Sequence, residues 1–302
     1  PRRTSARGDG EFKRVSALIN HRTFNNWVKT VLIKEAVSYV KTTAGTRRLS
    51  VLDFGCGKGG DLKKFGYEGV ANYVGIDVSL GQLRDAVVRK SSMNLKFPAT
   101  FVHISGEASP EVFLSKIPQG SFFDLVSAQF CIHYFFTDQS SVNRFLTNVA
   151  SSLVKGGVFI ATFPDADVLM RKLLEGYSSG DAVHENSFYS LMMREEDMRR
   201  ESPFGIKYGF FLDDGLIGKK KVSGETTEIT YVPEYLVILK YFLEEATRHD
   251  LEVVLDLNFH EFYSESIRRP KHFHLFQRIN FDQSKGERLM SEDEWDCSYL
   301  YR

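Results

Sequence analysis

Short apolar runs alternate with amphipathic segments from about residue 50 onward. The runs are rich in β-branched or aromatic residues, which predicts strands over residues 51–55, 73–77, 100–105, 123–130 and 158–163. Helical periodicity between them predicts helices, among them residues 79–91 and 142–153, with Ser79 and Ser141 as caps and Gly156-Gly157 ending the second. Strands that alternate with helices form right-handed crossovers, so the pattern predicts an α/β protein with a largely parallel sheet.

The pattern changes on both sides of this core. Residues 24–39 predict a helix, which leaves residues 1–23 as an N-terminal extension of a single domain over residues 1–302. Residues 195–233 are predicted to be an insertion, with strand-like runs at 207–212 and 227–231 forming a hairpin around a polar turn at 219–224. Beyond it, the pattern predicts a helix over 234–248, a strand over 253–258 and a short strand over 299–301.

Composition restricts the classes of function. Lys plus Arg and Asp plus Glu number 39 each, so any nucleic-acid partner must be held by a local basic patch. Three distant cysteines without a CxxC pair favour a reducing, intracellular compartment and argue against a structural zinc, so no metal is expected. No run reaches the roughly 18 to 20 apolar residues of a membrane span, so we expect a soluble protein without a membrane partner.

A glycine loop directly follows the first predicted strand, in the sequence LDFGCGKGG over residues 52–60. Glycines let a ligand approach the backbone, and Asp77 ends the next strand, where a carboxylate can accept hydrogen bonds from both ribose hydroxyls. The loop also satisfies GxGxxG, so a nicotinamide-dependent (NAD) dehydrogenase is the alternative, and a turn that merely needs glycine is another. Asp53 favours the cationic amino-acid group of S-adenosylmethionine over an anionic pyrophosphate.

Several separated motifs resemble one known family, the S-adenosylmethionine-dependent mRNA cap guanine-N7 methyltransferases. They occur in the expected order and read FNNWVK (24–29), VLI (31–33), LDFGCGKGGDL (52–62), QFCIHY (129–134), TFP (162–164), PFG (203–205) with Tyr208, VPEYLV (232–237) and EFY (261–263). The resemblance implies a Rossmann-like class I methyltransferase sheet with helices on both faces and an inserted β-hairpin.

The same resemblance implies which residues hold S-adenosylmethionine, whose product is S-adenosylhomocysteine. Lys29 is expected to meet the methionine carboxylate and Asp77 the ribose. Asp53 is expected to support the amino group or the loop, and Glu107 stands where the family usually has an aspartate facing adenine. The remaining cofactor residues that it implies are Gly55, Gly57 and Gln129.

A second set of residues is expected to hold the methyl acceptor. The donor edge of guanine, N1–H and the exocyclic amine, suits a bidentate carboxylate acceptor, and Glu234 is the candidate. Its alternative interpretation is a helix-start glutamate stabilised by the helix dipole. The resemblance implies aromatic and apolar walls from Phe130, His133, Tyr134, Pro164 and the C-terminal Tyr301, triphosphate contacts from Lys58 and Arg89, and a nucleoside contact from Asn25.

Guanine N7 has an in-plane lone pair and no proton, so its methylation needs alignment and no general base. The expected reaction is therefore transfer of the methyl group to guanine N7 of the 5′ GpppN end of mRNA, with Glu234, Tyr134 and His133 orienting the base. A catalytically silent cap-binding module and other methyltransferases are the remaining alternatives. The resemblance also implies a monomer in the nucleus, with other capping-enzyme domains or the RNA polymerase II machinery as further partners.

Overall fold

A parallel five-stranded sheet organises the first half of the chain. In the computed structural model, which describes residues 6–45, 48–118, 122–213, 218–223, 226–282, 287–288 and 290–302, its strands stand in the order β3-β2-β1-β4-β5. Their bounds are β1 (Ser50–Phe54), β2 (Asn72–Asp77), β3 (Ala99–His103), β4 (Phe123–Gln129) and β5 (Leu153–Thr162). All four neighbouring pairs are parallel, which confirms the predicted α/β class.

Helices cover both faces of this sheet. Those of the first half are α1 (Ala6–Ala44), α2 (Leu62–Tyr67), α3 (Leu80–Ser91), α4 (Pro110–Lys116) and α5 (Gln139–Ser152). Successive strand residues point to opposite faces, so Val51 packs with α1, α2 and α3, whereas Leu52 packs with α4 and α5. Burial on both faces explains why the central strands β1, β2 and β4 read as nearly continuous apolar runs.

The rest of the chain adds a second, antiparallel sheet and several helices. The elements are α6 (Ala166–Leu174), β6 (Ala182–Glu185), β7 (Tyr189–Met193), α7 (Glu195–Met198), β8 (Lys207–Leu212), β9 (Lys219–Ser223), β10 (Thr226–Thr230), β11 (Val232–Tyr235), α8 (Leu239–Thr247), α9 (Phe259–Ser266), α10 (Pro270–Asn280), β12 (Phe281–Asp282), β13 (Glu287–Arg288) and α11 (Glu292–Ser298). The strand order of the second sheet is β11-β8-β7-β6.

The insertion is built differently from the prediction. A hairpin is present, but its arms are β9 and β10, and the residues predicted as its polar turn include the whole of β9. The predicted pairing of residues 207–212 with 227–231 is wrong, because β8 pairs with β11 and β7. The helix predicted from residue 234 begins only at Leu239, so Glu234 lies on a strand and its interpretation as a helix-start residue is also wrong.

Helix boundaries differ in three further places. The cap of α5 is Asp138, whose side chain accepts a hydrogen bond from the Ser141 amide, so Ser141 lies inside the helix. Gly156-Gly157 belongs to β5, where the register against β4 shifts and Gly156 adopts a φ of 77°. The helix α1 continues without a break through residue 23, so residues 6–23 of the predicted extension are part of it.

Two predicted C-terminal strands are not formed. Residues 253–258 join no described ladder, and Asn258 instead caps α9 in a capping box with Glu261. Residues 299–301 form only an isolated bridge between Tyr301 and Pro164. A search of the described helices finds none that is both long and apolar enough to cross a membrane.

Candidate active site

The glycine loop and Asp77 form one hydrogen-bonded unit at the carboxyl ends of β1 and β2. Gly55 and Gly57 adopt φ values of 61° and 52°, the left-handed region that favours glycine. The Gly57 amide donates to Asp77 Oδ2 at 2.8 Å, and the Ser79 amide donates to Oδ1 at 2.7 Å. The carboxylate is thus fixed by the loop and by the start of α3, while its remaining lone pairs can accept further donors.

A buried cluster of charges lies beside this loop. Lys29 Nζ is 3.0 Å from both carboxylate oxygens of Asp61, and Lys64 Nζ is 2.6 Å from Oδ1. Burial raises the pKa of Asp61, but the two lysines outweigh that effect and the pKa is lowered. Asp53 accepts a hydrogen bond from the Tyr73 hydroxyl at 2.7 Å, and burial together with the Asp61 charge raises its pKa to about 7.

Gln129 and Phe130 occupy the carboxyl end of β4. Gln129 Oε1 accepts from the Thr162 hydroxyl at 3.1 Å, and its Nε2 donates to Ser127 Oγ at 3.3 Å. Phe130 has a φ of 57°, an uncommon backbone conformation for a bulky residue. Such a conformation persists only where neighbouring contacts impose it, and it frequently occurs at functional sites.

Phe130 is where the two predicted residue sets meet. Its ring lies 5.1 Å from the Tyr301 ring in an edge-to-face contact, and Lys29 Nζ lies 5.8 Å from its centroid. Tyr301 is held there by its bridge to Pro164. Of the two C-terminal tyrosines, Tyr301 is the one that contacts Phe130, whereas Tyr299 packs on His260.

The second sheet contributes a buried acid, Glu234, which contacts Tyr208 and His133. Glu234 on β11 pairs across the ladder with Tyr208 on β8, and the Tyr208 hydroxyl donates to Glu234 Oε2 at 2.5 Å. His133 Nε2 lies 3.7 Å from Glu234 Oε1, and the Tyr134 ring lies 4.1 Å from that of His133. Glu234 is only 4% exposed, and burial raises its pKa to about 7 despite the opposing hydrogen bond from Tyr208.

His133 is neutral in this environment. Burial lowers its pKa to about 3, and neither ring nitrogen has a hydrogen-bond partner among the described residues. Burial and the nearby Glu234 charge raise the pKa of Tyr134, whose side chain is about half exposed. The cluster therefore offers one titrating acid near neutral pH, surrounded by aromatic rings and a neutral imidazole.

The remaining predicted residues divide into two groups. Glu107 Oε2 and Asn25 Oδ1 are buried and have no hydrogen-bond partner within the described residues, as expected of groups that a ligand satisfies. Lys58 and Arg89 are exposed, and Lys58 Nζ forms a 2.8 Å ion pair with Asp85. No group of three or more His, Cys, Asp or Glu side chains in the described ranges could hold a metal ion.

Sequence reasoning assigned no role to three residues of this site. Asp61 and Thr162 lie within quoted motifs, and Tyr208 beside one, but their importance depends on contacts across elements. Tyr208 acts on Glu234 through the register of β8 and β11, and Thr162 bridges two strands. No local pattern on β8 could have indicated that Tyr208 contacts Glu234, because all the residues from 208 to 212 are buried.

Comparisons with known proteins give a consistent result. The family model described as the mRNA (guanine-N(7))-methyltransferase domain matches residues 2–302. The mRNA cap guanine-N(7) methyltransferase 1 of Arabidopsis thaliana is 34% identical over 307 residues, covering 96% of this chain and 75% of that protein. The mRNA cap guanine-N(7) methyltransferase of Schizosaccharomyces pombe is 32% identical over 305 residues, covering 98% and 78%.

A solved structure supports the fold. The S-adenosylmethionine-dependent methyltransferase from Clostridium acetobutylicum superposes with a TM-score of 0.51 at 13% identity, covering 80% of this chain and 84% of that one. At this identity the likeness concerns the fold alone. It confirms the predicted class I methyltransferase architecture.

Proposed function

This chain belongs to the family of mRNA (guanine-N(7))-methyltransferases, and from that membership we propose that the site described above carries out cap methylation in two adjoining pockets. The family uses S-adenosylmethionine to methylate guanine N7 of the mRNA cap. The observation that carries the assignment of the acceptor pocket is Glu234, a buried carboxyl group held by Tyr208 beside His133. Family membership opposes the dehydrogenase alternative.

The cofactor pocket would be formed by the carboxyl ends of β1, β2 and β4. Asp77 would accept the ribose hydroxyls on its free lone pairs, and Lys29 would meet the methionine carboxylate from its position between Asp61 and Phe130. Glu107 Oε2, which is buried and has no hydrogen-bond partner in the described part of the chain, would accept from the adenine amine. Asp53, Gly55, Gly57 and Gln129 would shape the rest of the pocket.

The acceptor pocket would bind guanine through its donor edge. Glu234 would accept from N1–H and the exocyclic amine, with its position fixed by the Tyr208 hydroxyl. Phe130, Tyr134, Pro164 and Tyr301 would line the faces and edges of the base. Lys58 and Arg89 would contact the triphosphate, and Asn25 the nucleoside.

Orientation accounts for the chemistry in this arrangement. When bound, S-adenosylmethionine supplies a sulfonium methyl group that the N7 lone pair accepts in line with the breaking C–S bond. Glu234 orients the purine, and the aromatic walls exclude water from it. His133 has no proton to accept from N7, and its lowered pKa of about 3 keeps it neutral near pH 7.

The pH dependence tests the role of Glu234. Guanine donates to the ionised carboxylate, so kcat/KM for GpppA should rise about tenfold per pH unit below the Glu234 pKa and level off above it. Because that pKa is raised to about 7, the rise should occur between pH 5.5 and 7. Steady-state rates at saturating S-adenosylmethionine check this, and kcat should change little.

A second pH profile, of kcat/KM for S-adenosylmethionine, distinguishes titration of Glu234 from titration of Asp53. The pKa of Asp53 is also raised to about 7, so kcat/KM for S-adenosylmethionine is measured at saturating GpppA. In Glu234→Gln the GpppA profile should become flat while the S-adenosylmethionine profile persists. A GpppA profile that keeps its slope in this variant would assign the titration to another group.

The direct test uses GpppA-capped and uncapped RNA with labelled S-adenosylmethionine. The label is expected in the cap guanine at N7, identified after nuclease digestion, and not in uncapped RNA. Binding of GpppA without transfer would instead support a catalytically silent cap-binding module.

We further propose a nuclear monomer that acts on capped RNA with other capping-enzyme domains or the RNA polymerase II machinery, since the matched relatives are eukaryotic.

A further inference from the structure

Thr162 connects the two pockets through a single hydroxyl group. It ends β5, is 1% exposed, and its Oγ1 lies 3.1 Å from Gln129 Oε1 and 3.2 Å from the Phe130 amide nitrogen. The carboxamide oxygen can only accept and the amide can only donate. The hydroxyl therefore donates its proton to Gln129 and accepts from Phe130, which fixes the roles of both bonds.

The hydrogen bonds continue in one direction beyond Gln129. Its Nε2 donates to Ser127 Oγ at 3.3 Å, and the Ser127 hydroxyl is in turn hydrogen-bonded to Asp53. Because the Ser127 proton is donated to Asp53, Ser127 Oγ can only accept from Gln129, and a reversed amide would place two acceptors, Gln129 Oε1 and Ser127 Oγ, against each other. Ser127 thus selects the orientation of the amide, and the Thr162 hydroxyl holds the amide oxygen by donating to it.

Thr162 also holds the backbone of Phe130. A φ of 57° is unfavourable for a non-glycine residue, so the surrounding contacts must impose it. The Phe130 amide has two acceptors, the Thr162 carbonyl at 2.8 Å and the Thr162 hydroxyl at 3.2 Å. This backbone conformation directs the Phe130 ring toward Tyr301 and Lys29.

We propose that Thr162 is a positioning residue that sets the Gln129 amide on the cofactor side and the Phe130 ring on the guanine side in one fixed arrangement. The inference rests on the proposed function of the two pockets. It differs from a packing role because the hydroxyl, and not the volume of the side chain, carries the effect. It also requires that both ligands respond to loss of this one group.

The test compares Thr162→Val, which keeps the shape but loses the hydroxyl, with Thr162→Ser, which keeps the hydroxyl. Without the hydroxyl, the Gln129 amide and the Phe130 ring must be ordered when the ligands bind, so Thr162→Val should raise Kd for both S-adenosylhomocysteine and GpppA by about tenfold. Thr162→Ser should restore most of both affinities. Calorimetric titration at a temperature well below the unfolding of each variant measures the constants.

A matched control removes another buried hydroxyl at the opposite end of β5. Ser152 precedes β5, is 2% exposed and donates to the Asn148 carbonyl, so Ser152→Ala should affect Tm without changing either Kd. If Thr162→Val does not yield folded protein, Thr162→Ala gives the same comparison with Thr162→Ser.

The outcomes separate this inference from the proposed function. A lowered Tm with both Kd values within twofold of wild type would reduce Thr162 to a packing role, and a change in only one ligand would overturn the shared arrangement. Failure of the wild-type chain to methylate GpppA at N7 would instead contradict the proposed function. The two Kd values are measured independently of methyl transfer.

Discussion

Replacing Glu234 with glutamine is expected to lower kcat/KM for GpppA by about 100-fold or more while Kd for S-adenosylhomocysteine stays within about twofold. Glutamine loses the charge-assisted bonds and presents its own NH2 group to a guanine edge that also donates. A site built around a buried hydrogen-bonding group discriminates strongly once that group is mismatched. Initial rates with labelled S-adenosylmethionine and calorimetry with the product measure the two quantities.

Unfolding provides a check that the variant is intact. Because the pKa of Glu234 is raised, this carboxyl group contributes stability at low pH that is lost as pH rises from 4.5 to about 7, where the unfolded chain has already released the proton. A shift of this size corresponds to about 3 kcal/mol, so Glu234→Gln should have an equal or higher Tm at pH 8. Lower activity combined with preserved stability locates the defect in recognition.

A second buried glutamate is the matched control. Glu245 on α8 is 3% exposed and bonds to Gln139 and Arg248, outside the proposed pockets. Glu245→Gln should leave kcat/KM for GpppA near the wild-type value. If Glu234→Gln also kept activity within threefold of wild type, Glu234 would not be the group that reads the guanine edge.

The parallel core could be predicted because its signals are local. The central strands β1, β2 and β4 are apolar runs buried on both faces, and the cap of α3 at Ser79 is a short-range pattern that the structure confirms. The secondary-structure predictions were wrong where pairing between strands that are distant in sequence overrides the local helix or strand preference. The sequence pattern predicts a helix from residue 234, yet the ladder with β8 makes residues 232–235 a strand and places Glu234 opposite Tyr208.

The candidate site could be predicted only in part for the same reason. Motifs indicated Lys29, Asp77, Gln129 and Glu234 as types of residue suited to the ligands. They could not indicate that Asp61 would pair with Lys29. Contacts of this kind depend on tertiary distances, which a single sequence does not encode in any local pattern.

The backbone conformation of the glycine loop leads to a second prediction, whose expected effect on ligand binding is nearly as large as that of Glu234→Gln on kcat/KM. Gly55→Ala should weaken binding of S-adenosylhomocysteine by at least about 30-fold and reduce methylation further. Gly55 has a φ of 61°, and a Cβ atom there would lie 2.8 Å from Cys131 Cβ, so the backbone must move. Movement at Gly55 displaces Gly57, whose amide fixes Asp77. Calorimetry and initial rates measure the two effects.

A second glycine with a positive φ, Gly69, is the control for Gly55→Ala. It separates the effect of backbone strain on ligand binding from the effect of the position in the glycine loop. Gly69 has a φ of 71°, and beyond its chain neighbours no atom of the described residues lies within 4 Å of an added Cβ, so Gly69→Ala carries the conformational cost alone. It should lose about 1–2 kcal/mol of stability and bind S-adenosylhomocysteine normally. Adding Cys131→Gly to Gly55→Ala removes the obstructing atom and should restore part of the affinity. Equal binding by the Gly55 and Gly69 variants would mean that the loop conformation does not form the cofactor pocket.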